Sequence, residues 1–232
     1  PQHLTAKFQK HKVQQEKLNL RLQSDNTEPY KQLFSLSELH EALHQSHDTA
    51  VGPDEIHYQM LKHAPDISLR TLLEIFNDIW LTGNYPTSWT ESTIIPLPKP
   101  DKDHTSPQSY RPIALTSCVC KTFERMVSNR LTWYLETNNI LTELQSGFRK
   151  ERSTTDQLVR LESFVREAFV RGEHVVSVLF DLEKAYDTTW RYGIMQDLQD
   201  AGLRGRLPGF ISQFLGNRDF QVRVGSCLSD YY

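Results

Sequence analysis

Asp181 follows directly after the most apolar run of the chain, residues 175–180. Such a run is typical of a buried β-strand, and an unpaired carboxylate inside a core is costly. We therefore expect Asp181 where the strand leaves the core, with a rigid backbone and its side chain at a polar rim. A carboxylate oxygen beside a backbone carbonyl on a rigid element suits a hard cation such as Mg²⁺. The alternative is an aspartate that only caps the following turn.

Residues 180–187 read Phe-Asp-Leu-Glu-Lys-Ala-Tyr-Asp. This octet resembles the first catalytic motif of reverse transcriptases, particularly those of non-LTR (LINE-type) retrotransposons. The resemblance implies that Asp181 binds two Mg²⁺ ions and that Leu182 lends a backbone carbonyl. It also implies that Tyr186 packs under the incoming sugar and excludes a 2′-hydroxyl; an ordinary core aromatic is the alternative. Two metal ions about 3.5–4 Å apart can stabilise the attacking and leaving oxygens of a phosphoryl transfer.

A second resemblance covers residues 92–125, which are similar to the fingers hairpin of this family. The matching stretches are Ile-Ile-Pro-Leu-Pro-Lys-Pro-Asp-Lys at 94–102, Tyr-Arg-Pro-Ile-Ala-Leu at 110–115 and Lys-Thr-Phe-Glu-Arg at 121–125. The resemblance implies that Lys99 and Arg111 grip the triphosphate of the incoming nucleotide, with Lys102 as a rival to Lys99. A flexible Lys suits a point-charge contact and an Arg suits a bidentate one. For either residue alone, a solvated hairpin tip is the alternative.

Two further blocks complete the resemblance. Residues 145–158, Gln-Ser-Gly-Phe-Arg-Lys-Glu-Arg-Ser-Thr-Thr-Asp-Gln-Leu, are similar to the block that contributes to the template groove. This implies that Arg149 and Lys150 contact nucleic-acid phosphate. Residues 50–54, Ala-Val-Gly-Pro-Asp, together with Lys62, resemble a short upstream block of LINE-type enzymes. Four blocks in family order are far more specific than any one of them.

Two other functions compete with this interpretation. Residues 40–44, His-Glu-Ala-Leu-His, match HExxH, in which two histidines bind Zn²⁺ and the glutamate activates water. No convincing third ligand follows, so a zinc metalloprotease is the weaker hypothesis. A degenerate element that only binds RNA is the non-enzymatic alternative, and the sequence does not distinguish it from an enzyme.

Composition sets broad limits on the class of protein. The 232 residues are 38% hydrophobic and 24% charged, as in an ordinary globular protein. The net charge of −3 gives no sign of nucleic-acid binding, yet residues 99–152 hold nine Lys or Arg against six Asp or Glu. That stretch could follow phosphate or be a solvated surface. We expect no membrane span and no signal peptide. Three cysteines without a CxxC motif favour an intracellular setting, the cytoplasm or the nucleus, over secretion.

Periodicity predicts an α/β chain. The predicted helices include one carrying Leu36, Leu39 and Leu43, one from Pro53, and others at 66–83, 117–135, 153–172, 190–201 and 206–216. The predicted strands are 92–98, 111–115, 175–180 and 220–224. The family resemblance implies a right-hand polymerase, with a polar, partly helical or disordered lead-in (1–34), helical fingers around a β-hairpin (35–172) and an incomplete palm (173–232). We also expect an exposed strand edge in the last segment.

The resemblance implies an RNA-directed DNA polymerase acting on an RNA template, a DNA primer and a dNTP, within a parent polyprotein. The family's Gly-x-Pro-Gln-Gly loop and its hairpin with adjacent aspartates do not follow residue 225. A two-metal site with one carboxylate binds Mg²⁺ poorly, because Mg²⁺ is held by few protein ligands. Asp187 lies too close along the chain to replace the pair. We therefore expect this chain to be inactive alone.

Primer extension by the 232-residue chain, with an RNA template, dNTPs and Mg²⁺, tests that expectation. Incorporation should not exceed that of a reaction without protein, because a two-metal site with a single carboxylate binds Mg²⁺ poorly. Robust incorporation would overturn this account of which carboxylates are needed.

Overall fold

The computed structural model of the chain describes residues 20–182, 185–216 and 218–232, and it leaves the side chains of Tyr186 and Asp187 undescribed. The chain divides into two compact units. One comprises the described residues up to Tyr134 together with Arg191–Tyr232, and the other is Leu135–Trp190. The division into fingers (35–172) and palm (173–232) follows other boundaries and stays a prediction.

Helices and a small sheet share the described part of the chain. In chain order the elements are α1 (Leu36–His44), α2 (Tyr58–Lys62), α3 (Asp66–Thr82), β1 (Glu91–Pro98), β2 (Tyr110–Leu115), α4 (Cys118–Thr137), α5 (Thr154–Val170), α6 (Ala185–Thr188), α7 (Arg191–Asp200), α8 (Arg206–Phe214), β3 (Asp219–Val224) and β4 (Cys227–Leu228). This mixed content confirms the predicted α/β class. The helix predicted from Pro53 begins only at Tyr58. None of the described helices has the length and apolar character needed to cross a membrane.

Local sequence signals account for several helix boundaries. Helix α1 begins with a capping box in which Ser35 Oγ accepts from Glu38 N and the Glu38 carboxylate accepts from Ser35 N. Helix α5 begins in the same way with Ser153 and Asp156. Helix α3 ends at Gly83, whose φ of 72° is the left-handed conformation that favours glycine. The predicted helix boundaries at 66–83 and near 153 are confirmed.

Aromatic rings form the core of the first unit. Phe76 and Phe123 stack with their centroids 4.8 Å apart. Phe34 meets Trp80 edge-on at 5.0 Å, and Phe210 meets Phe123 edge-on at 5.0 Å. Because the five rings come from the lead-in and from helices α3, α4 and α8, this cluster joins segments that are distant in sequence.

The lead-in is fastened to the helices by its own backbone. Within residues 20–34 only a short 3₁₀ turn, Pro29–Lys31, is regular, yet Tyr30 and Phe34 are buried. The Asn77 side chain bonds both the N–H and the carbonyl of Phe34, at 2.7 and 3.0 Å. Trp80 Nε1 donates to the carbonyl of Lys31 at 3.0 Å. The lead-in is polar overall, and its composition therefore gave no sign that its few apolar residues belong to the core.

Arg130, on α4, binds the lead-in and α1 together. Its guanidinium pairs with both Glu38 carboxylate oxygens, at 2.7 and 3.0 Å, and donates to the carbonyl of Leu33 at 2.9 Å. It also lies 3.8 Å from the centroid of the Phe34 ring. Partial burial raises the pKa of Glu38, but hydrogen bonds from Arg130 and Ser35 and the Arg130 charge outweigh it, so that the net pKa is lowered.

The four strands form one sheet in the order β2-β1-β3-β4. Strands β1 and β2 form the predicted antiparallel hairpin, with Leu97 opposite Arg111, whereas β1 and β3 are parallel. Strand β3 also pairs with β4, and Phe220 and Tyr232 exchange backbone hydrogen bonds beyond it. Residues 227–232 cover β3, so the exposed edge of the last segment lies at β4 instead, where Leu228 is 57% exposed.

The second unit contains α5 and α6 but no strand among its described residues. Residues 175–180 have no regular structure, and Leu179 and Phe180 are 94% and 91% exposed. The predicted strand is therefore wrong. A strand needs a neighbour for its backbone N–H and C=O groups, and no described segment pairs with these residues. The apolar face of α5 is likewise exposed, as at Phe164 and Phe169.

An Arg130→Gln substitution should lower the free energy of unfolding by about 3 kcal/mol, because it leaves Glu38 and several carbonyls without their charged donor. Urea unfolding followed by tryptophan fluorescence measures this change. Arg70→Gln, an exposed position on α3, is the matched control and should stay within about 0.5 kcal/mol of the wild type. Equal unfolding midpoints for the two variants would contradict the role given to Arg130.

Candidate functional site

The β1–β2 hairpin brings two of the predicted site residues together. Arg111 lies opposite Leu97 in the ladder, and Lys99 N donates to Ser109 O at 2.8 Å, which extends the ladder beyond Pro98. Because side chains alternate between the faces of a strand, this register makes Lys99 and Arg111 diagonal neighbours on one face. The hairpin therefore carries both cations on one face.

The two candidate lysines differ in their surroundings. Lys99 is partly buried, and its Nζ donates to the carbonyl of Gln108 at 2.8 Å, across the base of the hairpin tip. Lys102 is exposed at the tip. Neither Lys102 nor Arg111, which is also exposed, makes an ion pair with a described residue. The Lys99 ammonium uses one of its three donors on the Gln108 carbonyl, whereas Lys102 has no such internal acceptor among the described residues.

The segment around Asp181 exposes the groups that were predicted to bind metal. Asp181 is exposed, and Leu182 is 79% exposed. Since residues 175–180 form no strand, the rigid support expected for Asp181 is not seen. The Tyr186 side chain lies outside the described residues, so its predicted contact with a sugar stays a prediction.

The described residues do not by themselves fit a two-ion Mg²⁺ site. Asp181 supplies one carboxylate, and among the described residues no group of three or more His, Cys, Asp or Glu side chains could hold a metal ion. Mg²⁺ demands near-octahedral geometry from a small number of protein oxygens. We therefore assign no catalytic step to a metal ion held by these residues alone.

The HExxH residues lie on α1. His40, Glu41 and His44 are exposed, and Glu41 Oε1 accepts from Gln45 Nε2 at 2.9 Å. In the described part of the chain no third metal ligand joins them. The zinc hypothesis gains no support from this geometry.

Arg149 holds the loop that precedes α5. Its Nε donates to Glu136 Oε1 at 2.8 Å, and its Nη1 donates to the carbonyl of Thr142 at 2.7 Å. Only 7% of its side chain is exposed, and its hydrogen bond lowers the pKa of Glu136. Lys150, by contrast, is exposed. Sequence reasoning missed the pair with Glu136, because nothing in a spacing of thirteen residues across a loop indicates a contact.

Comparison with known families finds a match that includes the tip of the hairpin, the Arg149 loop and Asp181. A family model described as reverse transcriptase (RNA-dependent DNA polymerase) matches residues 97–229. The match begins two residues before Lys99 and includes Arg111, Arg149 and Asp181.

Relatives from Drosophila melanogaster agree with the family model. The probable RNA-directed DNA polymerase from transposon X-element is 30% identical over 98% of this chain and 26% of the relative. The probable RNA-directed DNA polymerase from transposon BS is 33% identical over 77% and 20%. The RNA-directed DNA polymerase from mobile element jockey is 31% identical over 75% and 19%. The chain thus spans about a fifth to a quarter of the length of these relatives.

Removing the Arg149 guanidinium should loosen residues 138–152, because the loop loses its link to Glu136 and to the Thr142 carbonyl. Chymotrypsin should then cleave an Arg149→Gln variant faster after Phe148, a side chain that is already 97% exposed. Mass spectrometry of timed digests measures the rate. Lys150→Gln removes the neighbouring charge and should be cleaved like the wild type; faster cleavage of both variants would argue against the Arg149 link.

Proposed function

The chain belongs to the reverse transcriptase family, as its resemblance to non-LTR enzymes predicted, and on that premise we propose that it forms the fingers and the start of the palm of an RNA-directed DNA polymerase. In that reaction a primer hydroxyl attacks the α-phosphate of a dNTP, and pyrophosphate leaves. The proposal is carried by the single family match over residues 97–229, which contains the cationic hairpin, the Arg149 loop and Asp181 in family order.

The hairpin binds the triphosphate of the dNTP in this proposal. Support comes from the register, which makes Lys99 and Arg111 diagonal neighbours, and from the exposure of Arg111. A guanidinium can contact two phosphate oxygens at once, and an ammonium adds a point charge. Lys102 stays a rival because it is exposed at the tip and no described acceptor holds its ammonium.

In this proposal the Asp181 carboxylate and the Leu182 carbonyl would hold Mg²⁺ together with acids from the rest of the parent, and Tyr186 would pack under the sugar. Support comes from the exposure of Asp181, whose carboxylate is paired with no described residue. Bound Mg²⁺ ions would supply charge neutralisation at the phosphate oxygens. The protein's own part is to hold the triphosphate through the hairpin.

Template RNA and DNA primer are the proposed macromolecular substrates, and Lys150 is the proposed phosphate contact of the loop before α5. Lys150 is exposed, whereas the Arg149 guanidinium is engaged by Glu136 and Thr142. Arg149 thus reaches phosphate only by sharing or exchanging its partners. We further propose an intracellular setting and a longer parent polyprotein, in keeping with the length of the relatives.

Primer extension on an RNA template by the full-length parent tests the roles of these residues. Asp181→Asn should abolish incorporation, because an amide cannot replace a metal-binding carboxylate. Lys99→Gln and Arg111→Gln should each raise the KM for dNTP about tenfold, the effect of one lost charged hydrogen bond.

Asp78→Asn is the matched control for the aspartate, since Asp78 is an exposed carboxylate on α3 and should leave incorporation unchanged. Lys102→Gln decides between the two lysines: a raised KM there, with Lys99→Gln unchanged, would move the triphosphate contact to Lys102. Normal incorporation by the Asp181→Asn variant would refute the polymerase assignment of this aspartate.

A further inference from the structure

An open pocket of about 350 Å³ lies in the first unit, between α4 and the segment that leads into α2. It is lined by Thr49, Tyr58, Lys121, Glu124, Arg125 and Ser128. None of these residues was singled out as a binding residue from the sequence. The volume is within the usual range for a small-molecule site, and five of the six side chains can donate a hydrogen bond.

Gly52 keeps one wall of this pocket close to α4. A Cβ at this position would lie 2.4 Å from Ser117 N and 2.5 Å from the carbonyl carbon of Thr116, which is impossible without moving the backbone. The loop therefore packs directly on the residues that precede α4. Ser117 Oγ accepts from the N–H groups of Val119 and Cys120 at 3.1 and 3.2 Å. Because these helix N–H groups are already occupied, side chains must supply the donors of the pocket.

Two cations one helical turn apart face the pocket from α4. Lys121 and Arg125 are i and i+4 neighbours, so they share a face of the helix. Arg125 Nη1 donates to the carbonyl of Ala42 at 2.9 Å, which fixes the guanidinium and leaves its other N–H groups for a ligand. Lys121 makes no ion pair with a described residue.

Glu124, the acidic residue of the lining, is engaged on its other side. Its Oε1 accepts from Tyr85 Oη at 3.2 Å and lies 3.7 Å from Arg218 Nη2. Its charge is thus balanced within the core by Arg218. Lys121 and Arg125 therefore give the pocket a positive charge, which favours an anion.

Tyr58 contributes a buried hydroxyl group whose hydrogen-bonding capacity is not satisfied. The residue is 2% exposed. Its Oη lies near the side chains of Thr122 and Arg125, but it forms no hydrogen bond of full geometry with any described residue. Burial raises the pKa of Tyr58, which keeps the hydroxyl protonated as a donor, although the nearby Arg125 charge partly offsets this effect. A buried polar group without a partner is destabilising and calls for an explanation. An anionic oxygen in the pocket would satisfy it.

We propose that this pocket binds a phosphate group, held by Lys121 and Arg125 and by the hydroxyl of Tyr58. Charge-assisted donors of this kind recognise phosphate oxygens strongly. That the phosphate belongs to an RNA strand rests on the proposed function, whereas the phosphate chemistry itself rests on the lining residues alone. The pocket is a binding site additional to the hairpin and to Asp181.

Binding of a short single-stranded RNA and of inorganic phosphate to the 232-residue chain, each measured at low salt, tests this proposal. Lys121→Gln should weaken both about tenfold, since it removes one charged contact. It should also reduce the slope of log K against log salt for the RNA by about 0.7, the value for one lost phosphate contact on a single strand. Arg70→Gln removes an exposed positive charge elsewhere in the unit and is the matched control.

Tyr58→Phe separates binding from folding. The variant keeps the ring but removes the unsatisfied hydroxyl, so the urea midpoint of the unliganded chain should be unchanged or higher while affinity for phosphate falls. Loss of affinity in Lys121→Gln and Tyr58→Phe for both probes supports a nucleic-acid phosphate. Loss of affinity for inorganic phosphate alone supports a phosphate site whose ligand is free phosphate. Binding by Lys121→Gln equal to that of Arg70→Gln, for both probes, overturns the proposal.

These outcomes are independent of the polymerase test. Asp181, Lys99 and Arg111 lie outside the pocket lining. If the pocket does not bind phosphate, primer extension by the parent still tests the proposed polymerase. If primer extension fails, phosphate binding by the pocket can still be measured.

Discussion

The first unit depends on the contacts of the Arg130 guanidinium, because it donates to backbone carbonyls of the lead-in that no helix or strand pairs. Residues 30–34 run without a helix or strand beyond one 3₁₀ turn, so their carbonyls need donors from elsewhere. Arg130 supplies several of them, pairs with Glu38 of α1 and covers the Phe34 ring. One side chain of α4 thereby joins three segments around the aromatic core, and the first unit can hold the hairpin and the pocket lined by Tyr58 and Arg125 in fixed positions.

Backbone pairing explains the contrast between the two apolar strands that the sequence predicts. Residues 91–98 find β2 on one side and β3 on the other, and they form the central part of a sheet. Residues 175–180 are more apolar, yet no described segment pairs with them, and Phe180 stays 91% exposed. Hydrophobicity favours burial of a segment, but a strand forms only where a neighbour accepts its backbone hydrogen bonds. The setting of Asp181 follows from this constraint.

Cations in the chain serve two different purposes, and composition does not separate them. Arg130 and Arg149 are engaged by carboxylates and carbonyls, and they hold loops in place. Arg111 and Lys121 have no such partner among the described residues and are available to anions. The local excess of basic residues at 99–152 therefore contains both cations that hold loops and cations without an ion pair to a described residue. Burial and hydrogen-bond partners distinguish the two kinds of cation.

The sequence by itself determined the family, through motifs contiguous in the chain. It also determined the hairpin and most helices through local signals: the capping box at Ser35, the left-handed Gly83, and the polar, turn-rich tip between β1 and β2. It also selected Lys99, Arg111 and Asp181 as candidates through motifs that are contiguous in the chain. Only the tertiary structure decided which side chains are buried. The burial of Tyr58, the partners of Arg149 and the unpaired state of residues 175–180 all depend on contacts between distant segments, and such contacts leave no trace in residue spacing.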